Sequence, residues 1–268
     1  MNQTIGFIGC GKMAQAMIGG MVKDEEINPT QIIASTTSQE TLQKVQAMFP
    51  IQTTINNVEV AEVSDILFLA VHPNGYKEVI EEIRQNVKPS VVIVTIAAGI
   101  SIEDVQRAFQ TNVKVARTMP NTPSLIQEGM SAICSSREVT DEELQTVLLL
   151  FHTFGKVEIV AEELMDAIPA VSGSSPAYVY MMIEAMADGA VAQGLPRDQA
   201  YRLASQALVG AAKMVLETGL HPGVLKDQVC SPGGSTIEAV SELEKQGFRG
   251  NIQAAMEKCT QKVKSLSK

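Results

Sequence analysis

The sequence predicts two parts of different class, a doubly wound α/β domain followed by an all-α domain, and three observations predict it. Short β-rich runs alternate with segments of helical period from Ile5 to Val160. A Gly9-x-Gly11-x-x-Ala14 turn follows the first run and opens a helix. After about Ala161 the β-branched runs stop, and Ala, Gly, Met and Leu dominate long periodic segments. Alternation of this kind implies parallel strands joined by crossover helices. The expected domains are therefore 1–161 and 162–268.

In chain order, strands are expected at Ile5 to Ile8, Gln31 to Thr36, Ile66 to Val71, Val91 to Ile96 and Val113 to Met119, with further strands near Met130 to Cys134 and Lys156 to Val160. Each is a short apolar, β-branched run, and most have a helical stretch between them. In the second part, Pro176, Pro196 and Pro222 sit where a first helical turn starts. Gly194, Gly219 and Gly247 sit where helices stop. Helices are expected at Pro176 to Gln193 and Pro196 to Thr218. Their small and apolar residues spread around the circumference, so they should be buried on more than one side. About a hundred residues cannot cover such helices alone, and a dimer through them is expected.

Composition excludes several function classes. With 268 residues, 45% of them hydrophobic, the chain can bury a sizeable core. The formal charge is 21 − 30 = −9 with no basic run longer than two residues, which argues against a nucleic-acid partner. Cys10, Cys134, Cys230 and Cys259 form no CxxC, so neither a zinc site nor a disulfide framework is indicated, and a reducing compartment fits. The first apolar run, IGFIG, has no cationic region before it and is too short for a signal sequence or membrane span. A cytoplasmic protein with no metal and no membrane partner is expected.

The glycine turn points to a dinucleotide. Gly9 permits the tight turn, Gly11 lets a pyrophosphate approach the backbone, and Ala14 lets helix pack on strand, the arrangement of a Rossmann-like NAD(P)-binding domain. The end of the second strand reads IIASTTS. Ser35, Thr36 and Thr37 offer hydroxyls and no carboxylate to repel a 2′-phosphate, so NADPH should be accepted, with NADH possible. The strand ends at His72-Pro73 and Ala97-Ala98-Gly99 flank the same site, and His72 is read as cleft wall in preference to an acid.

A second glycine turn, SPGGSTIEAV from Ser231 to Val240, precedes a late helix whose open amides would attract an anion. If the cofactor occupies the first turn, the second can hold the substrate. From Pro222 to Glu244 the chain resembles the C-terminal signature of the pyrroline-5-carboxylate reductases. The resemblance extends through GFIGCGKM, FLAVHP, AAGI, RTMPNTP (Arg117 to Pro123), SGSSPAY (Ser172 to Tyr178) and ADGAVAQGLPR (Ala187 to Arg197).

The resemblance implies reduction of the C=N bond of 1-pyrroline-5-carboxylate by NAD(P)H, giving L-proline. It places the cofactor along Ile8, Gly9, Cys10, Gly11, Lys12 and Met13, then Ser35, Asn57, Ala70, Val71, His72, Pro73, Ile96, Ala97 and Ala98. It places the substrate carboxylate on the amides of Gly233, Gly234 and Ser235, the ring nitrogen on Thr236 as the catalytic contact, and Glu162 near the substrate. It also implies a helical C-terminal domain for dimerisation, and in some members a ring of dimers.

Departures from the family pattern are Ser175 for a common glycine, Gln228 for an asparagine and His72 for a frequent lysine. A related hydroxyacid dehydrogenase is the nearest rival, but the lysine it requires would fall at Val179. A non-catalytic dinucleotide-sensing module would keep the first turn and lose the second. Ser172 to Pro176 is expected to cap the helix that follows.

Overall fold

The computed structural model describes residues 2–266. Packing divides the chain into two compact units: one runs to Ser174 and takes back the segment from Cys259, and the other is Ser175–Lys258. The helical composition does begin near 161/162. The first turns after that point nevertheless belong to the first unit, because Met165 is buried in the same core as the sheet.

Among the described residues the first unit holds an eight-stranded sheet in the order β3-β2-β1-β4-β5-β6-β7-β8. Its strands are β1 (Ile5–Ile8), β2 (Ile32–Ser35), β3 (Gln52–Thr54), β4 (Ile66–Leu69), β5 (Val92–Thr95), β6 (Lys114–Met119), β7 (Gly129–Ser135) and β8 (Gly155–Ile159). β1, β4 and β5 are buried at every position, as continuous apolar runs in a sheet covered on both faces must be. All pairings are parallel except β6 with β7, which is antiparallel. The short segment between β6 and β7 can reverse the chain, whereas parallel neighbours need a crossover.

Side chains alternate between two cores. Phe7, Phe68 and Val94 face α1 (Lys12–Met21), α2 (Gln39–Met48) and α6 (Asp141–His152). Ile8, Leu67, Leu69 and Ile93 face α3 (Asn57–Val63), α4 (Tyr76–Ile83) and α5 (Ile102–Phe109). Phe7 stacks on Phe68 with ring centroids 4.5 Å apart, and Phe151 and Phe154 continue the column. Each fully buried ring contributes about 1.5–3 kcal/mol, so this column holds α6 on the sheet. Capping boxes at Ser101/Asp104 and Thr140/Glu143 start α5 and α6.

The second unit is helical: α7 (Ser175–Ala192), α8 (Arg197–Thr218), α9 (Pro222–Val229), α10 (Ser235–Lys245) and the greater part of α11 (Phe248–Leu266). Pro196 is the N-cap of α8, which starts at Arg197, one residue later than expected. Ser174 has helical dihedrals and follows a π turn, Pro169–Gly173, so the expected serine cap before Pro176 is not formed. The single chain leaves most of the apolar surface of α7 and α8 uncovered. Only Ala187 of α7 and Ala200 and Ala204 of α8 are buried, while Met181, Leu203, Met214 and Leu216 lie exposed.

Candidate active site

One group of candidate residues sits at the carboxyl ends of β1, β2, β4 and β5. β1 exits through Gly9, whose φ is +88°; a Cβ there would stand 2.8 Å from the Ala70 carbonyl oxygen. Glycine is therefore required to bring the β1 exit against the β4 exit, where the Ala70 amide donates to the Ile8 carbonyl at 2.8 Å. Gly11 differs. An added Cβ would meet nothing within 4 Å, and its φ of −76° suits any residue. The protein itself does not need glycine there, so the space fits a ligand pressed onto the backbone. Gly11 also caps α1 without a side chain, leaving the first amides of a ten-residue helix open to a pyrophosphate. The Gln15 side chain donates to the Cys10 carbonyl at 2.7 Å and pins the turn, a contact that the glycine pattern does not signal.

Around this turn the structure gathers Met13, Asn57, Ala70, Val71, His72, Pro73, Ile96 and Ala98, all partly or fully exposed, with Ala97 beneath them. Ile8 is fully buried and contributes only to the floor. Cys10 is buried too, and desolvation pushes its thiol up to about 11, so it is no nucleophile at neutral pH. His72 is exposed; its Nδ1 accepts from the Asn74 amide at 3.4 Å, as an N-cap.

Ser35 requires correction. It is 0% exposed, and its hydroxyl donates to Asn57 Oδ1 at 2.7 Å instead of facing outward. The Thr36 hydroxyl is turned onto Ser38. Of the three hydroxyls expected to face a 2′-phosphate, Thr37 is the exposed one. Burial of the last residue of β2 beneath α3 explains the difference.

Glu162 also has a different employment. Its Oε1 accepts from the Ile102 amide, the first of α5, at 2.8 Å and lies 3.5 Å from the buried Arg117, which bonds Asp166 at 2.6 Å. That carboxylate serves the α5 terminus and a nearly buried guanidinium. Cys134 lies nearby, and burial with the Glu162 charge pushes its thiol up to about 12.

A second group of candidate residues lies in the helical unit. Gly233 has φ +68°, and Gly234 is the N-cap of the 11-residue α10, again without a side-chain cap. The Gly234 amide donates back to the Ser231 carbonyl at 3.0 Å, which corrects its assignment to the substrate. The amides of Ser235 and Thr236 and the half-buried Thr236 hydroxyl have no hydrogen-bond partner among the described residues. Two adjacent amides and a hydroxyl at a helix N-terminus suit a carboxylate beside a basic nitrogen.

Residues 162–266 match the family model described as pyrroline-5-carboxylate reductase dimerisation, and residues 4–99 match that described as NADP oxidoreductase coenzyme F420-dependent. The chain is 47% identical to the pyrroline-5-carboxylate reductase of Escherichia coli (strain K12) over 100% of both chains. The chain belongs to the pyrroline-5-carboxylate reductase family. It is accordingly an NAD(P)H-dependent oxidoreductase. The structure of the Coxiella burnetii pyrroline-5-carboxylate reductase superposes with a TM-score of 0.93 at 29% identity, covering 100% of each chain. The Plasmodium falciparum pyrroline carboxylate reductase, solved with NADP bound, superposes with a TM-score of 0.91 at 29% identity, covering 100% of this chain and 99% of its own. The helical unit of this reductase is thus a family dimerisation domain, consistent with its exposed apolar faces. Among the described residues no helix is long and apolar enough to cross a membrane.

Proposed function

We propose that this reductase converts 1-pyrroline-5-carboxylate to L-proline, the last step of proline biosynthesis, with NADPH bound along the β1–α1 turn and the imine at the α10 terminus. The observation that carries the reading is a pair of glycine turns, each opening a helix whose first amides are left without a side-chain cap. NADPH supplies a hydride to the imine carbon. Open amides at Lys12 and Met13 hold the pyrophosphate, and the strand-exit loops Ala70–Pro73 and Ile96–Ala98 orient the cofactor. The amides of Ser235 and Thr236 hold the substrate carboxylate, and the Thr236 hydroxyl accepts from the protonated ring nitrogen. Catalysis is then mainly positioning, because hydride transfer depends on near-attack geometry.

We assign Glu162 to the support of α5 and not to a direct substrate contact. The working form is a homodimer, with a ring of dimers as the larger assembly, and the free cysteines support a cytoplasmic location. The experiment is to mix purified protein, NADPH and 1-pyrroline-5-carboxylate and follow the absorbance of the reduced nicotinamide. Imine-dependent loss with proline formed in equal amount is expected; no imine-dependent loss refutes the reading.

A further inference from the structure

The buried Tyr76 hydroxyl, at the start of α4, is joined to the exits of two strands. It donates to the Leu69 carbonyl at 2.6 Å and lies 2.9 Å from Thr95 Oγ1. A phenol has one proton, so with that proton on Leu69 the threonine is the donor to Tyr76. Thr118 extends the chain of hydroxyls by donating to the Thr95 carbonyl at 2.9 Å.

Leu69 ends β4 directly before Ala70–Pro73, and Thr95 ends β5 directly before Ile96–Ala98. One buried oxygen is therefore bonded to the bases of both loops that flank the cofactor. It is buried, and burial pushes its pKa up to about 12 although the hydrogen bond with Thr95 pulls the other way. It stays a neutral brace throughout the working pH range.

We infer that Tyr76, acting with Thr95, is a positioning residue that fixes the spacing of the two cofactor-flanking loops and so sets NADPH affinity without touching the cofactor. The inference rests on the assignment of those loops in the proposed function. Without the phenol oxygen, the Thr95 hydroxyl is left buried with no acceptor, and the loops shift to satisfy it. The substrate carboxylate, assigned to α10 amides, has no part in this network.

The test uses the full-length protein with Tyr76→Phe, Thr95→Val, Thr95→Ser and the double variant of the first two. NADPH Kd is read by fluorescence titration alongside KM for each substrate. Tyr76→Phe, which removes the bonds to both Leu69 and Thr95, and Thr95→Val, which removes the one to Tyr76, should each raise the NADPH Kd at least about five-fold. The imine KM at saturating NADPH should stay within about two-fold, Thr95→Ser should restore wild-type affinity, and the double variant should be no worse than the worse single one. An unchanged NADPH Kd, or a Kd and imine KM that rise together, overturns the inference. If Tyr76→Phe does not fold, Thr95→Val against Thr95→Ser decides. Gly11→Val separates the two readings. NADPH binding retained in that variant overturns the cofactor assignment, whereas binding lost there but unchanged in Tyr76→Phe overturns the brace alone.

Discussion

The Ser35 hydroxyl donates to Asn57 Oδ1 at 2.7 Å, and the Asn57 amide nitrogen donates in turn to Glu82 Oε2 at 2.8 Å. Both ends of the Asn57 amide are thereby committed, which fixes its orientation at the rim of the cofactor turn. The last side chain of β2 is thus an internal support.

A carboxylate at Ser35 would be buried against the acceptor oxygen of Asn57. Ser35→Asp should therefore lower Tm and weaken both cofactors instead of exchanging one for the other. The exposed Thr37 is the position for an exchange. Wild type should use NADPH at least as well as NADH, and Thr37→Asp should move the kcat/KM ratio toward NADH by repelling the 2′-phosphate. Steady-state kinetics with both cofactors checks the pair, and a Ser35→Asp enzyme of native Tm that prefers NADH contradicts it.

Thr236→Val removes an unpartnered hydroxyl while keeping the shape of the side chain. If it binds the ring nitrogen, the lost charge-assisted hydrogen bond costs about 1.5–3 kcal/mol, or roughly ten- to a hundred-fold in kcat/KM for the imine. NADPH affinity should hardly move. Kinetics close to wild type would remove Thr236 from the site.

Gly9 and Gly11 should separate fold from function. Gly9→Ala forces a left-handed backbone on a side chain that would meet the Ala70 carbonyl at 2.8 Å, so Tm should fall, with about 1–2 kcal/mol from the backbone alone. Gly11→Ala has free space and an ordinary φ, so Tm should hold while the NADPH Kd rises at least about ten-fold, one lost close approach of the pyrophosphate. Thermal melts and cofactor titration on the two proteins read the difference.

The exposed apolar faces of α7 and α8 imply that stability depends on protomer concentration. Ala211, beside Met214, Val215 and Leu225 in an apolar groove of about 380 Å³, lies on such a face. Ala211→Arg should lose assembly and activity together, because two-fold closure puts the new charge into the interface twice. Light scattering should give a dimer or a multiple for wild type, with Tm rising as concentration rises. A wild-type monomer that is active and has a concentration-independent Tm would contradict this.

What was legible in the sequence was what is local. β1, β4 and β5 read as unbroken apolar runs because both their faces are covered, and the two glycine turns before α1 and α10 read directly because their backbone geometry is set within four residues. β3 was missed: Gln52–Thr54 is a short polar edge strand, with no apolar run to mark it. The reversal at β7 left no mark, since an apolar run does not record strand direction. The employment of Glu162 and Ser35 was hidden for another reason. Their partners, Ile102 and Arg117 for one and Asn57 for the other, are brought near only by the crossovers.

The first unit is discontinuous along the chain: Ser174 meets Cys259 across 85 residues, Oγ to Sγ at 3.3 Å. On a ribosome, a polypeptide folds as it emerges, and contacts distant in sequence wait for their second partner. The first unit therefore gains its last segment only after the entire helical segment between them has been made. A protomer ending before Cys259 would keep both cores on the sheet and lack only this closing segment.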